Sequence, residues 1–390
     1  MVQGRDGLRL SGDARALLAV QALRAAAYGL GSVTIGLTLE RAGSSGLEVG
    51  LVLASILAGS ALASLLLARH AERAGRRRAY RLLLLVMGVA GAVFALTTWT
   101  PALVAAALTG TLSTDANDSG PMTVLETAML PHTAPEGGAV PLFGLYNTVA
   151  VLAGALGALA AGLPGGQRLI FAYAAASALG LAAAATLSAH VEAGPRGGPR
   201  PALHRSRGLV ARLSALFALD SFGGGFVVQS FLAYWLARKF DASPQLLGAV
   251  FFTTGLLQAV SFQAAVWLAG RIGLIKTMVF THLPSNVLLA AVPFMPNLGS
   301  AIAVLFARFA LSQMDVPTRQ AYVVGAVEPD ERVAAAAYTS TARAVTRPVA
   351  PLVAGPLLQS TLAAPFLIAG GLKIAYDIAL YAFFRDRDRT

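Results

Sequence analysis

The sequence lacks cysteine and is poor in charged residues. Without cysteine it can form neither disulfides nor thiolate metal sites. Charged residues make up 13% of the chain and hydrophobic residues 56%, whereas a soluble domain carries about 25% charged residues. This composition excludes an ordinary soluble globular protein and favours one that lies in the lipid bilayer.

The sequence also lacks the common catalytic motifs. It contains no HExxH, no GxSxG and no phosphate-binding loop that ends in Gly-Lys-Ser/Thr. His70, His132, His190 and His204 fall at helix ends or in loops, and His282 stands alone, so no metal cluster is predicted. We therefore expect no enzyme activity, no metal and no cofactor. The net charge of +11 resides in short turns between apolar segments, which argues against a nucleic-acid partner.

Long apolar segments fill most of the chain. A stretch of about 20 apolar residues crosses a bilayer as a helix, which satisfies its own backbone hydrogen bonds in lipid. The pattern predicts an all-α polytopic membrane protein with about twelve transmembrane helices, the first of which is too long for a cleavable signal. The predicted spans are Ala16–Leu39, Leu47–Ala68, Ala79–Thr98, Ala102–Leu130, Val140–Leu163, Leu169–Ala189, Leu209–Ala237, Pro244–Ala269, Leu274–Phe294, Leu298–Val327, Val333–Leu358 and Pro365–Phe384.

The two halves of the chain repeat one another. Ala19–Leu39 aligns with Ala215–Trp235 without gaps, so that Arg24 matches Asp220. The segment 190–208 between the halves is rich in Gly, Pro and Arg and predicts a flexible cytoplasmic linker. We therefore expect an N-terminal six-helix bundle over residues 1–189 and a C-terminal one over 209–390. A repeated half is typical of secondary transporters, whose site lies between the repeats.

A basic turn follows the second span and reads Glu72-Arg73-Ala74-Gly75-Arg76-Arg77. An acidic residue followed by Arg-x-Gly-Arg-Arg at this place resembles the best-known motif of the major facilitator superfamily, which usually has Asp where this chain has Glu72. The twelve-span plan with a basic midpoint linker is similar as well. The resemblance implies two pseudo-symmetric six-helix bundles with a central cavity lined by spans 1, 4, 7 and 10. Physically, the charges of Glu72, Arg73, Arg76 and Arg77 around Gly75 predict a latch between cytoplasmic helix ends.

Arginine and lysine are concentrated in alternate turns. The turn 69–81, the linker and the turn 271–276 carry most of them, whereas the opposite turns carry few. Because basic loops stay in the cytoplasm, we expect both termini there and the protein in the plasma membrane.

Ionisable residues within spans are costly in lipid and therefore predict function. The acids are Asp115, Asp118, Glu126, Asp220, Asp315 and Asp377, and the bases are Arg24, Arg308, Arg319, Arg343, Arg347 and Lys373. The predicted substrate and coupling site consists of the ionisable residues on spans 1, 4, 7 and 10, together with Arg343 and Arg347 of span 11. It also includes the polar residues Tyr28, Asn117 and Gln229. Pro121 predicts a kink in span 4.

Several pairings are open from the sequence. Asp315 and Arg319 are four residues apart on one helix, and they either neutralise each other or face the cavity. Lys373 and Asp377 have the same spacing, which predicts a structural ion pair. Arg343 and Arg347 need an acid from another helix, or an anion. Arg24 and Asp220 occupy equivalent repeat positions and are expected to approach each other in one conformation.

The predicted function is secondary transport of a small solute by alternating access in a monomer. The preferred form is proton-coupled export of a drug-like or amphiphilic compound, with Asp220, Asp115 or Asp118 as the coupling group. The alternatives are uptake of a small organic anion, clamped by Arg24, Arg343 and Arg347, and a membrane-embedded enzyme.

Overall fold

A computed structural model describes residues 10–116, 120–134, 139–192 and 203–385, without the side chains of 71–72, 139–140 and 359. This part of the chain is helical and contains no strand. Its α-helices are α1 (Gly12–Arg41), α2 (Gly46–Ala74), α3 (Arg76–Leu96), α4 (Thr100–Ala107), α5 (Pro121–Met129), α6 (Ala139–Ala160), α7 (Ala172–Ala185), α8 (Arg207–Gly225), α9 (Gln229–Phe240), α10 (Pro244–Ile272), α11 (Leu274–Ala291), α12 (Leu298–Ser312), α13 (Asp315–Gly325), α14 (Arg332–Thr346), α15 (Val349–Ser360) and α16 (Ala364–Phe384).

These helices form twelve crossings. Ten helical segments of the described chain are long and apolar enough to span a membrane. The two remaining crossings are span 4, made of α4 and α5, and span 11, made of α14 and α15. Spans 7 and 10 are also divided, into α8 with α9 and α12 with α13. The prediction of about twelve transmembrane helices is confirmed.

The four divided spans are interrupted near mid-length. In span 4 the kink predicted at Pro121 is instead a full break, because α4 ends at Ala107 and Pro121 starts a new helix at a position where its missing N–H costs nothing. Val228 adopts an extended conformation (ψ 162°) between α8 and α9. Pro348 follows α14 in span 11. Broken helices at membrane depth are tolerated where they line a site rather than lipid.

The N-terminal bundle (α1–α7) and the C-terminal bundle (α8–α16) meet mainly at one end of the molecule. We call this the distal side; the terminal side is the end where α1 begins and α16 ends. On the distal side α1 packs on α9, α2 on α15 and α6 on α10. Glycines allow this: a Cβ on Gly36 would lie 2.1 Å from the Ser230 carbonyl oxygen, and one on Gly46 would lie 2.2 Å from that of Gly355. This glycine contact, the distal seal, closes that side.

On the terminal side two glutamates bind the starts of helices. Glu192 accepts hydrogen bonds from the backbone N–H groups of Arg76 (2.7 Å) and Arg77 (3.1 Å) at the start of α3. Burial raises the pKa of Glu192, but these bonds outweigh it, and the net pKa is lowered.

Glu331 likewise receives the backbone N–H groups of Arg205 (2.9 Å) and Ser206 (3.1 Å) before α8. Hydrogen bonds from the Ser206 side chain and from the backbone of residues 204–206 lower the pKa of Glu331 to about 2. The predicted linker 190–208 is therefore anchored at both of its ends. Residues 193–202 lie outside the described chain.

Candidate transport site

Asp115 lies where three divided spans from both bundles meet. It sits in the break of span 4, forms an ion pair with Arg347 in the break of span 11, and accepts a hydrogen bond from the backbone N–H of Gln229 (2.9 Å) at the start of α9. Beside it, the backbone N–H of Ser230 donates to the Thr114 carbonyl (3.0 Å). Asp115 and Arg347 remain partly exposed, with 24% and 32% of their side chains accessible. Charged groups of both bundles thus face each other at the centre.

A second cluster is buried within the N-terminal bundle around Glu126. Its carboxylate forms an ion pair with Arg24 (2.6 Å) and accepts hydrogen bonds from the hydroxyls of Tyr80 (2.6 Å) and Tyr146 (2.5 Å). Glu126 is fully buried, and Arg24 is 2% exposed. A buried carboxylate is stable when all its lone pairs are satisfied in this way. The sequence marked Glu126 and Arg24 but not the two tyrosines, which look like ordinary apolar-face aromatics.

A third cluster is buried within the C-terminal bundle around Asp220. The Lys373 ammonium lies 2.6 Å and the Arg343 guanidinium 2.9 Å from its carboxylate, and Arg319 lies 3.7 Å away. Arg319 also pairs with Asp315 on its own helix, as one of the open alternatives for that pair predicted. One aspartate therefore gathers cations from three helices.

His282 and Asp377 extend this third cluster. His282 lies 2.8 Å from Asp377 and 3.7 Å from Asp220, and Asn286 donates to Asp377 (2.9 Å). Two expectations are corrected here: Lys373 pairs with Asp220 rather than with Asp377, and His282 is not isolated. The missed signal was His282 and Asn286 at i,i+4, two polar residues on one face of an apolar span.

The second and third clusters, each within one bundle, are related by the internal repeat, with the charges reversed. Span 1 offers Arg24 to Glu126 of span 4, while span 7 offers Asp220 to Arg319 of span 10. The predicted approach of Arg24 to Asp220 is not seen in this conformation, because each has partners in its own bundle. Arg24 is thereby committed to Glu126 and does not serve here as an anion clamp.

The other predicted site residues are distributed as follows. Tyr28 is buried against Tyr173, with ring centroids 6.0 Å apart, and lies under the Arg24 guanidinium. Gln229 is 9% exposed beside Asp115. Arg308 stacks on Phe309, 4.7 Å from its ring centroid. Asn117 and Asp118 lie outside the described residues.

The predicted cytoplasmic latch is seen in part. The side chain of Glu72 is not among those that the structure describes, and the side chain of Arg73 is exposed. Gly75 caps α3 with φ 84°, a conformation that favours glycine. Arg76 donates to the Ala128 carbonyl (3.1 Å) and Arg77 to the Leu187 carbonyl (3.2 Å), so these two arginines tie span 3 to the ends of spans 4 and 6. The described contacts therefore join helices within one bundle.

Comparisons with known proteins identify relatives of this architecture. An uncharacterized membrane protein of Saccharomyces cerevisiae is 26% identical over 96% of this chain and 94% of its own length. An uncharacterized MFS-type transporter of Bacillus subtilis is 28% identical over 35% of each chain. No family profile matches the chain.

Solved structures resemble the whole chain. The nucleoside transporter NupG superposes with a TM-score of 0.78 at 15% identity, covering 95% of this chain and 99% of NupG. A D-xylose–proton symporter superposes with a TM-score of 0.74 at 15% identity, covering 95% and 97%. The resemblance carried by the sequence is confirmed, and the chain has the fold of the major facilitator superfamily.

Proposed function

We propose that this protein is a secondary transporter that moves a small solute by alternating access of a central site. The observation that supports this best is the meeting of three broken spans at Asp115, which places partly exposed charges of both bundles near mid-membrane. Intramembrane charges at broken helices are typical of substrate and ion sites. The fold shared with solved transporters is consistent with this function.

The contacts between the bundles indicate the state of the cycle. The distal seal closes one side, and α14, the terminal half of span 11, touches α2 only lightly. The abundance of arginine on the terminal side favours a cytoplasmic location for that side and for both termini. In this proposal the conformation is inward-facing, and transport requires the distal seal to open.

Proton coupling is proposed to involve the Asp220 cluster. His282 lies 2.8 Å from Asp377 and 3.7 Å from Asp220, and Lys373 pairs with Asp220 beside it. An imidazole placed between two carboxylates can serve as a proton shuttle. Export of a drug-like or amphiphilic compound, the plasma-membrane location and the monomeric state stay predictions, because no contact in the molecule bears on them.

Alternating access can be tested by distances between spin labels, because the chain has no native cysteine. One labelled pair, Ala42→Cys with Thr361→Cys, spans the distal side; the other, Arg69→Cys with Glu328→Cys, spans the terminal side. All four positions are exposed. Two distance populations should appear in each pair, with the long distal distance accompanying the short terminal one. A single fixed distance in both pairs, in lipid and across pH 5–8, would contradict the proposal.

A further inference from the structure

Arg308 is an intramembrane cation without an ion-pair partner in the described part of the chain. It lies on α12, where the Ser285 hydroxyl donates to its backbone carbonyl (3.3 Å). Its Nε is enclosed and has no hydrogen-bond acceptor among the described residues. Asp115, in the opposite bundle, is the described carboxylate whose charge acts on it, but the two form no ion pair. Arg308 therefore lies within electrostatic reach of Asp115 across the space between the bundles.

Gln229 provides a second unsatisfied donor at the same place. Its backbone N–H donates to Asp115 (2.9 Å), and its side-chain oxygen accepts from the N–H of Ala116 (3.4 Å). Its amide nitrogen Nε2 is buried and lacks an acceptor in the described part of the chain. Gln229 thus contacts Asp115 directly, and Arg308 interacts with it through its charge. Each side chain offers an enclosed N–H group that has no acceptor in the described part of the chain. Buried donors left without acceptors are costly unless a ligand supplies one.

Charge counting at the centre agrees with the geometry. The other described cations within the spans, Arg24, Arg319, Arg343, Arg347 and Lys373, each have a carboxylate partner. Arg308 is therefore the unmatched positive charge of the described interior. A guanidinium binds planar carboxylate and phosphate groups through parallel N–H bonds, which suits an oxyanion better than a neutral solute.

We propose that the central site binds a solute with a carboxylate or phosphate group, which Arg308 and the Gln229 amide hold beside Asp115. Arg347 contributes by exchanging its bond to Asp115 for one to the anion, which loosens a contact between the bundles. This inference rests on the proposed transport function. It develops the alternative in which the substrate is an organic anion. The proposed anion clamp is Arg308 with Arg347, whereas the sequence predicted Arg24 with Arg343 and Arg347.

The first experiment measures whether Arg308 is unpaired in the ligand-free protein. In Tris–chloride buffer free of carboxylate and phosphate, Arg308→Gln should raise the melting temperature by roughly 2 °C, because a partly buried charge without an ion-pair partner is removed. The matched variant Arg319→Gln, in the same span, should lower it, because it strands Asp315. If Arg308→Gln lowers the melting temperature as Arg319→Gln does, Arg308 has a structural partner, and the proposal is overturned.

The second experiment measures binding with matched probes. Benzoate, succinate and glycerol 3-phosphate are compared with benzamide, succinamide and glycerol by their effect on the melting temperature of the full chain. At least one anion should raise it while its neutral analogue does not, and Arg308→Gln should abolish the shift. Arg271→Gln, a change on the exposed terminal side, should retain it. Whether succinate or glycerol 3-phosphate acts more strongly separates a carboxylate from a phosphate substrate.

Equal effects of anions and neutral analogues, no effect of any anion, or an undiminished shift in Arg308→Gln would each overturn the anion assignment. None of these outcomes changes the spin-label distances. The transport proposal therefore fails separately, when the two label pairs show no exchange between states.

Discussion

Asp115 joins the two bundles through one side chain, and its replacement by asparagine should shift the equilibrium between the two states. Asparagine keeps an oxygen that can accept the Gln229 N–H bond of 2.9 Å, and it has nearly the same volume. It removes the negative charge that pairs with Arg347. The variant therefore isolates the ion pair from the hydrogen bond.

The size of the shift follows from the exposure of the pair. An exposed ion pair contributes about 0–1 kcal/mol, and removing one partner of a buried pair costs about 3–5 kcal/mol. Asp115 and Arg347 are 24% and 32% exposed, so water screens them partially. We expect Asp115→Asn to destabilise the distally closed state by about 1–2 kcal/mol relative to the distally open state. This free-energy difference changes the ratio of the two states by about 5–30-fold.

The assay is the distal label pair at positions 42 and 361. Asp115→Asn should increase the long-distance population in lipid, and the terminal pair at positions 69 and 328 should change in the opposite sense. Asp241→Asn serves as the control, since Asp241 is exposed in a distal turn with φ 52°, a conformation that asparagine also adopts. Unchanged populations in Asp115→Asn, or an equal change in Asp241→Asn, would refute the view that this ion pair stabilises the closed state.

Three further predictions concern the other contacts. Glu126→Gln should lower the free energy of unfolding by about 3–5 kcal/mol in chemical denaturation, because it leaves Arg24 buried without a counter-charge; a loss under 1 kcal/mol would contradict this. Gly36→Val should lengthen the distal label distance, because its side chain would meet the Ser230 carbonyl oxygen; an unaltered distance would show that the helices give way. Glu331 has a pKa lowered from 4.5 to about 2, so its stabilisation is present above about pH 4.5 and is lost as the pH falls toward 2. The melting-temperature difference between wild type and Glu331→Gln should therefore be constant from pH 5 to 7 and should shrink at lower pH, whereas a difference that grows on acidification would oppose the assignment.

Much of the fold was predictable because the bilayer limits the possible structures. Apolar runs of sufficient length must be helices, and the internal repeat divides them into two sets of six. Contacts within one helix were also accessible, and Asp315 with Arg319 is the example. The motif residues that carried the family resemblance lie at the end of α2 and the start of α3.

Pairing between helices was not predictable, because helix rotation and tilt depend on the packing of all neighbours. Lys373 is four residues from Asp377 and could have reached it, yet α16 turns its ammonium toward Asp220 on α8. His282 looked isolated because Asp377 lies 95 positions away in the chain and Asn286 lies one turn along the same helix. The length of the break in span 4 was not predictable either. A proline alone interrupts about one turn of helix, whereas α4 ends at Ala107 and α5 begins only at Pro121.

The distal seal has a consequence for the membrane's energy supply. Gly36, Gly46 and Gly355 bring backbones of the two bundles together, and the nearest atoms across these contacts are backbone and apolar atoms. Dispersion contacts of this kind weaken steeply within about 1 Å of separation. A partial opening thus gains little, and the barrier tends to be either fully shut or fully parted. In the proposed transport cycle, an all-or-none barrier of this kind would limit the leakage of ions down their gradient between turnovers.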